Sequence, residues 1–258
     1  MSRWGVLILN HVMSRLDAVL FDMDGVLLNS APVANRLLVA AAARHGVQLS
    51  MEELEGLRGV TGPQFWSYVK RTYHLPGTVE EYWASYDAEA EVAAYDADLI
   101  APGVRQLIEG LDLDGVSVGI VTSASRWRTR HVIELLDIDR RLSAVVCSDD
   151  VDRPKPDPQP YLRAAERLDV EPVSCVAVED SYRGAQSALG AGMAVLAFTG
   201  FEHDQSAALE AHAVVDDFRT QSPRSFKAMY RRAMSETRPR QVGRTLRPAG
   251  SHLLRSHK

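Results

Sequence analysis

The chain of 258 residues is 46% hydrophobic and 24% charged, which excludes collagen-like, low-complexity and largely disordered classes and leaves room for one large or two small packed domains. Its net charge of −5 is unevenly spread: residues 221–258 carry ten Lys and Arg against one acid, leaving 19 bases and 33 acids in residues 1–220. An acidic body is the wrong sign for a nucleic-acid grip, no run reaches the roughly 20 apolar residues of a membrane span, and the two cysteines, Cys147 and Cys175, are too few for a disulfide framework.

A reducing cytoplasm fits that cysteine usage, and neither a membrane nor a specific nucleic-acid partner is expected. Residues 1–13 read as an N-terminal extension, because the apolar run 4–9 lacks the length and cleavage site of a secretory signal. Residues 18–21, AVLF, have the composition of a buried strand and are closed by Asp22. Residues 33–98 then change texture. An alanine- and leucine-rich run ends at Gly46, Ser50/Glu53 and Thr78/Glu81 have capping-box spacing, and no strand pattern intervenes. This is an all-helical insert, expected as a cap over the carboxyl end of the first strand. Afterwards strand-like runs 116–121, 144–147, 174–178 and 194–197 alternate with helical runs 126–136, 158–168 and 181–191. Such alternation implies right-handed crossovers and a parallel sheet covered on both faces, in an α/β core made of residues 14–32 and 99–220. Beyond Phe218 the periodicity fades; a short helix over 225–234 fits, and residues 221–258 otherwise read as a basic, disordered tail.

Four loops at the carboxyl ends of these strands carry chemistry. Asp22-Met23-Asp24-Gly25 places two carboxylates two residues apart, with glycine free to bend the chain. Taken alone, the run fits a turn with capping aspartates equally well. Thr122-Ser123-Ala124-Ser125 gathers hydroxyls and backbone N–H groups ahead of a helix, which suits phosphoryl oxygens or simple capping. In Arg153-Pro154-Lys155-Pro156-Asp157-Pro158 the prolines pin an ammonium that can neutralise charge between a carboxylate and a phosphate. Glu179-Asp180 ends a further strand; beside Asp22 these acids would offer the hard oxygen ligands of a magnesium site, and by themselves they would cap the next helix.

In this order and spacing, DMDGVLLNS, VTSAS, RPKPDPQPYL and VEDSYRGAQSALGAGM resemble the haloacid dehalogenase-like superfamily, in its phosphatase and phosphomutase branch with an α-helical cap inserted after the first motif. The resemblance covers about residues 17–218 and implies a Rossmann-like sheet core. It implies Asp22 as the nucleophile that forms an aspartyl phosphate and Asp24 as general acid and base. Ser123 would hold the phosphoryl group, helped by backbone N–H groups near Met23 and Ala124, and Lys155 would balance charge. Mg²⁺ would be bound by Asp22, Asp180 and the backbone carbonyl of Asp24, with Glu179 supporting the site. Arg126, and Arg58, Thr61 and Gln64 of the cap, are candidate contacts to substrate or phosphate. Mutase relatives carry a histidine and an arginine where this chain has Ala34 and Gly62. The expectation is therefore hydrolysis of a small phosphorylated metabolite, of sugar-phosphate or phosphoglycolate type. A β-phosphoglucomutase-like mutase is the first alternative, and a non-catalytic protein that binds a phosphate ligand on the same fold is the second.

Overall fold

β1 (Ala18–Phe21) runs through the interior of a six-stranded, wholly parallel sheet ordered β3-β2-β1-β4-β5-β6. The other strands are β2 (Ser117–Val121), β3 (Ala144–Val146), β4 (Cys175–Glu179), β5 (Ala194–Phe198) and β6 (Ala213–Val215). All four residues of β1 are buried, as the unbroken apolar run requires of a strand covered on both faces. The computed structural model describes residues 15–57, 61–201 and 206–235. Among them, residues 15–30 and 96–235 form one compact unit, and residues 31–95 another.

In the first unit the strands alternate with α6 (Val104–Leu113), α7 (Arg126–Leu136), α8 (Gln159–Leu168) and α9 (Tyr182–Gly190), followed by α10 (Pro223–Ser235). One face of the sheet packs Ala18, Leu20 and Ala177 against Tyr161, Ala164 and Ala165 of α8 and Ala185 and Ala188 of α9. The other face carries an aromatic cluster in which Phe21 meets Phe218 and Phe226, with ring centroids 6.1 and 6.5 Å apart, and Phe198 stacks on Phe218 at 4.3 Å. Alternate residues of one strand thus serve two cores, the period-2 geometry that a doubly covered sheet demands. Turn chemistry fixes the ends. Asp157 accepts the Gln159 N–H at 2.9 Å to start α8, and Gly192, at φ +86°, terminates the chain segment after α9.

The strand order reverses direction between β1 and β4: β2 and β3 lie on one side, β5 and β6 on the other. The carboxyl ends of β1 and β4 therefore border a crevice, the position where open α/β sheets bind ligands.

Within the expected basic tail, the short helix that fits residues 225–234 is observed over residues 223–235, and residues 236–258 lie outside the described residues. This helix is α10, whose Phe226, Tyr230 and Ala233 are buried at helical spacing, and the Tyr230 hydroxyl donates to the Val173 carbonyl at 3.1 Å. Its apolar stripe is only one residue in three or four, the spacing of a helix packed by one narrow face.

The second unit contains α1 (Ala31–Arg44), α2 (Met51–Gly56), α3 (Gly62–Thr72), α4 (Val79–Ala84) and α5 (Ala88–Ala93), with no strand among its described residues. Leu38, Ala41, Ala42, Phe65, Trp66 and Val69 form its core, and Trp66 stacks on Tyr82 at 4.8 Å. The capping boxes at Ser50/Glu53 and Thr78/Glu81 are formed as their spacing predicts. Among the described residues of the whole chain, no helix is long and apolar enough to cross a membrane.

Candidate active site

Three strand ends converge on one ammonium. Lys155, buried with 6% of its side chain exposed, donates to Asp22 Oδ1 at 2.6 Å, to Glu179 Oε1 at 2.5 Å and to the Val121 carbonyl at 2.8 Å. Asp22 follows β1, Val121 ends β2 and Glu179 ends β4, so a lysine arriving from the loop after β3 spans the middle of the sheet. The loop that delivers it is tied down elsewhere: Arg183 Nη2 donates to the Lys155 carbonyl at 2.5 Å, and the Ser187 hydroxyl to the Asp157 carbonyl at 2.5 Å.

Glu179 is wholly buried. Besides Lys155, its Oε1 accepts the Tyr161 hydroxyl at 2.7 Å, while Oε2 accepts from Ser181 at 3.4 Å. Its oxygens are thus committed to donors. Oxygens of Asp22, Glu179 and Asp180 come within 4.8 Å of one another. Lys155 bonds two of these three buried acids, Asp22 and Glu179. Burial pushes the Asp22 carboxyl well above the usual carboxylate range; Glu179 and Asp180 push the same way, while Lys155 opposes. Burial alone would lower the Lys155 pKa, but Asp22 and Glu179 overcome it and hold the ammonium above its ordinary value. The Tyr161 hydroxyl is likewise pushed up, by burial and then by Glu179. Hard carboxylate oxygens gathered this closely fit a divalent cation such as Mg²⁺.

Asp24 stands apart from this cluster. The backbone turns back after it at Gly25, where φ is +81° and a side chain would strain the chain, and the Gly25 N–H donates to the Leu28 carbonyl at 2.8 Å. Arg128 grips the Asp24 carboxylate with both guanidinium nitrogens, Nη1 to Oδ2 and Nη2 to Oδ1, each at 2.7 Å. The Ser30 hydroxyl adds a third bond to Oδ1, at 2.5 Å.

The second loop sits at the end of β2, where Thr122 N–H donates to the Val146 carbonyl at 2.9 Å. Ser123 is exposed there. The Ala124 N–H, expected to face phosphate, donates to Thr122 Oγ1 at 3.0 Å. Met23 is buried, its carbonyl accepting N–H bonds from Leu27 and Leu28.

Several candidate ligand contacts have other partners in the structure. Arg126 turns away to Asp150, at 2.6 Å, and its main-chain N–H donates to Asp149 at 2.8 Å, so it is a brace between two loops. Two residues along a helix is a rotation of about 200°, which is why Arg128 instead faces Asp24. Thr61 and Gln64 are spent on a capping box at the start of α3: the Thr61 hydroxyl accepts the Gln64 N–H, and Gln64 Oε1 accepts the Thr61 N–H at 2.9 Å. The T-x-x-Q spacing carried that signal in the sequence. Arg58 lies outside the described residues. Sequence reading missed Arg128, Ser30 and Tyr161. The alternation of arginines 126, 128 and 130 did not distinguish the faces of α7, and Tyr161 reads as an ordinary core aromatic of α8.

Residues 19–198 match the haloacid dehalogenase-like hydrolase family. Validoxylamine A 7'-phosphate phosphatase of Streptomyces hygroscopicus subsp. limoneus is 30% identical over 199 residues, 77% of this chain and 92% of that protein. Phosphoglycolate phosphatase of Xylella fastidiosa is 33% identical over 187 residues, 68% of this chain and 76% of its own length. Among solved structures, CbbY from Rhodobacter sphaeroides in complex with phosphate superposes with a TM-score of 0.62 at 25% identity, over 80% of this chain and 96% of that one. The chain therefore belongs to the haloacid dehalogenase-like hydrolases, an enzyme family in which the matched relatives act as phosphatases.

Proposed function

We propose that this hydrolase is a magnesium-dependent phosphatase that cleaves a small phosphomonoester, of sugar-phosphate or phosphoglycolate type, through an aspartyl-phosphate intermediate. The observation that carries the reading is the buried set of Asp22, Glu179 and Asp180 around the one ammonium of Lys155. An Asp22 oxygen attacks phosphorus as the ester P–O bond breaks, and Asp24 passes a proton to the departing alkoxide oxygen. Asp24 then takes a proton from water, whose oxygen attacks phosphorus, expelling Asp22 and yielding inorganic phosphate. Ser123 and backbone N–H groups of the first loop, near Met23, hold the phosphoryl oxygens, and the Ala124 N–H would join them by exchanging its bond to Thr122 Oγ1. Lys155 offsets the charge that Asp22 and phosphate bring together, and most of the acceleration comes from this positioning and neutralisation.

Mg²⁺ would be held by Asp22, Asp180 and the Asp24 carbonyl, and would supply positive charge beside the transferring phosphoryl group. Glu179 is assigned a different task from direct ligation: its oxygens hold Lys155 and Tyr161, so it orients the ammonium. A mutase needs a cation for a second phosphate. At Gly62 a side chain is excluded, since a Cβ there would lie 2.0 Å from the Trp83 ring, and this favours hydrolysis. A reducing cytoplasm suits the two buried, unpaired cysteines.

The test is phosphate release from a panel of phosphoglycolate, hexose phosphates and nucleotides, with Mg²⁺ and with chelator. Release with Mg²⁺ that Asp22→Asn abolishes is expected. Interconversion of hexose 1- and 6-phosphates without phosphate release would establish the mutase instead. A purified, folded protein inert on the whole panel, with phosphate binding retained, would favour the non-catalytic alternative.

A further inference from the structure

We propose that Arg128 is a positioning residue for proton transfer: it fixes the Asp24 carboxylate, and so sets how well the enzyme expels a poor leaving group. This rests on the phosphatase reading above and adds to it a residue that the four motif loops do not contain. Asp24 lies on a loop that turns sharply at Gly25, beyond the last residue of β1, and an aspartate there has two torsions to lose. Three hydrogen bonds remove that freedom, two from Arg128 at 2.7 Å and one from Ser30 at 2.5 Å. The bidentate pair specifies the carboxylate plane as well as its place, which a single ammonium could not do.

Arg128 is itself well founded. It lies in the first turn of α7, its N–H donates to the capping hydroxyl of Ser125, and its side chain is 18% exposed. The strand-to-helix turn that presents Ser123 therefore also orients Asp24. Arg126, two residues earlier, makes a comparable grip impossible by pairing with Asp150.

The readout is dependence on the leaving group. An aryl phosphate departs as a phenolate that needs little help from a proton donor, whereas an alkyl phosphate departs as an alkoxide that needs a great deal. Steady-state kinetics of Arg128→Met, Arg128→Lys and Asp24→Asn would be measured with p-nitrophenyl phosphate and with an alkyl phosphate, at saturating Mg²⁺. For Arg128→Met, kcat should fall on both substrates, at least tenfold further on the alkyl ester, with KM within about twofold of the parent. Arg128→Lys should recover part of the alkyl deficit, and Asp24→Asn should show the same selective pattern more strongly. Circular dichroism and thermal melting of each variant separate these effects from misfolding. Equal losses on both esters with unchanged melting would overturn the proposal, as would a rise in KM at unchanged kcat, which would make Arg128 a substrate contact. If the parent protein releases phosphate from neither ester, it is the phosphatase reading that fails.

Discussion

Gly184, in the first turn of α9, lies against the carboxylate of Glu179: a Cβ built on it would sit 2.0 Å from Glu179 Cδ and Oε2. The glycine is required by this close approach, since its φ is unexceptional. Gly184→Ala is expected to push Glu179 from Lys155, costing about 1–3 kcal/mol of stability through overpacking and at least tenfold in turnover. Chemical denaturation and phosphate-release kinetics check both. A fully active, equally stable Gly184→Ala protein would show that Glu179 has somewhere harmless to go.

Lys155→Met removes the only ammonium bonded to Asp22 and Glu179 among the described residues. Breaking a buried pair from one side leaves uncompensated charge, at a cost of roughly 3–5 kcal/mol. Urea denaturation at neutral pH should reveal it, and adding Glu179→Gln to Lys155→Met should recover part of the loss. Melting curves for the single and double variants that coincide would contradict this account.

Acid stability has a separate source. Burial would raise the Asp150 carboxyl, but bonds from Arg167, the Cys147 N–H and Arg126 prevail and hold it well below the usual range. A depressed carboxylate contributes stability that is complete above its unfolded value, near 3.8, and is lost as pH falls through the lower folded value. Asp150→Asn should therefore lower stability at pH 7 and flatten its decline below about pH 4. Denaturation midpoints across that window test the sign; an Asn variant that declines as steeply as the parent would assign acid sensitivity elsewhere.

Phe226 of α10 is fully buried against Phe21, with ring centroids 6.5 Å apart. Phe226→Ala is expected to cost about 3–5 kcal/mol, and ending the chain at Thr220 should be worse because Tyr230 is lost as well. Thermal melting distinguishes this from a dispensable tail, for which neither change would matter.

The strands and the helices between them were legible because apolar runs of four to six residues, closed by acids or hydroxyls, leave few alternatives. The helix predicted over 126–136 is the one observed, Arg126–Leu136. Asp22, Lys155, Glu179 and Asp180 were legible as chemistry because each follows such a run or a proline-pinned turn. Their partners were not. Ser30 and Arg128 meet at Asp24 although they lie 98 positions apart in the sequence, and nothing local to either marks the other. Thr61 and Gln64 illustrate a further ambiguity, because a polar pair in a loop suits a ligand or a helix end, and here it forms a capping box. The strand Ala213–Val215, at the edge of the sheet with only Val215 buried, was not read from the sequence.

One consequence follows from Lys155 touching the ends of β2, β1 and β4 at once. A parallel strand advances about 3.3 Å per residue, so a slip of β2 by a single position would carry the Val121 carbonyl out of reach of an ammonium now 2.8 Å away. The lysine is thus a gauge of strand alignment: only a chain whose central strands have found their proper neighbours brings one ammonium to all three partners. If Lys155 serves the reaction as proposed, turnover regained during refolding would count only such chains.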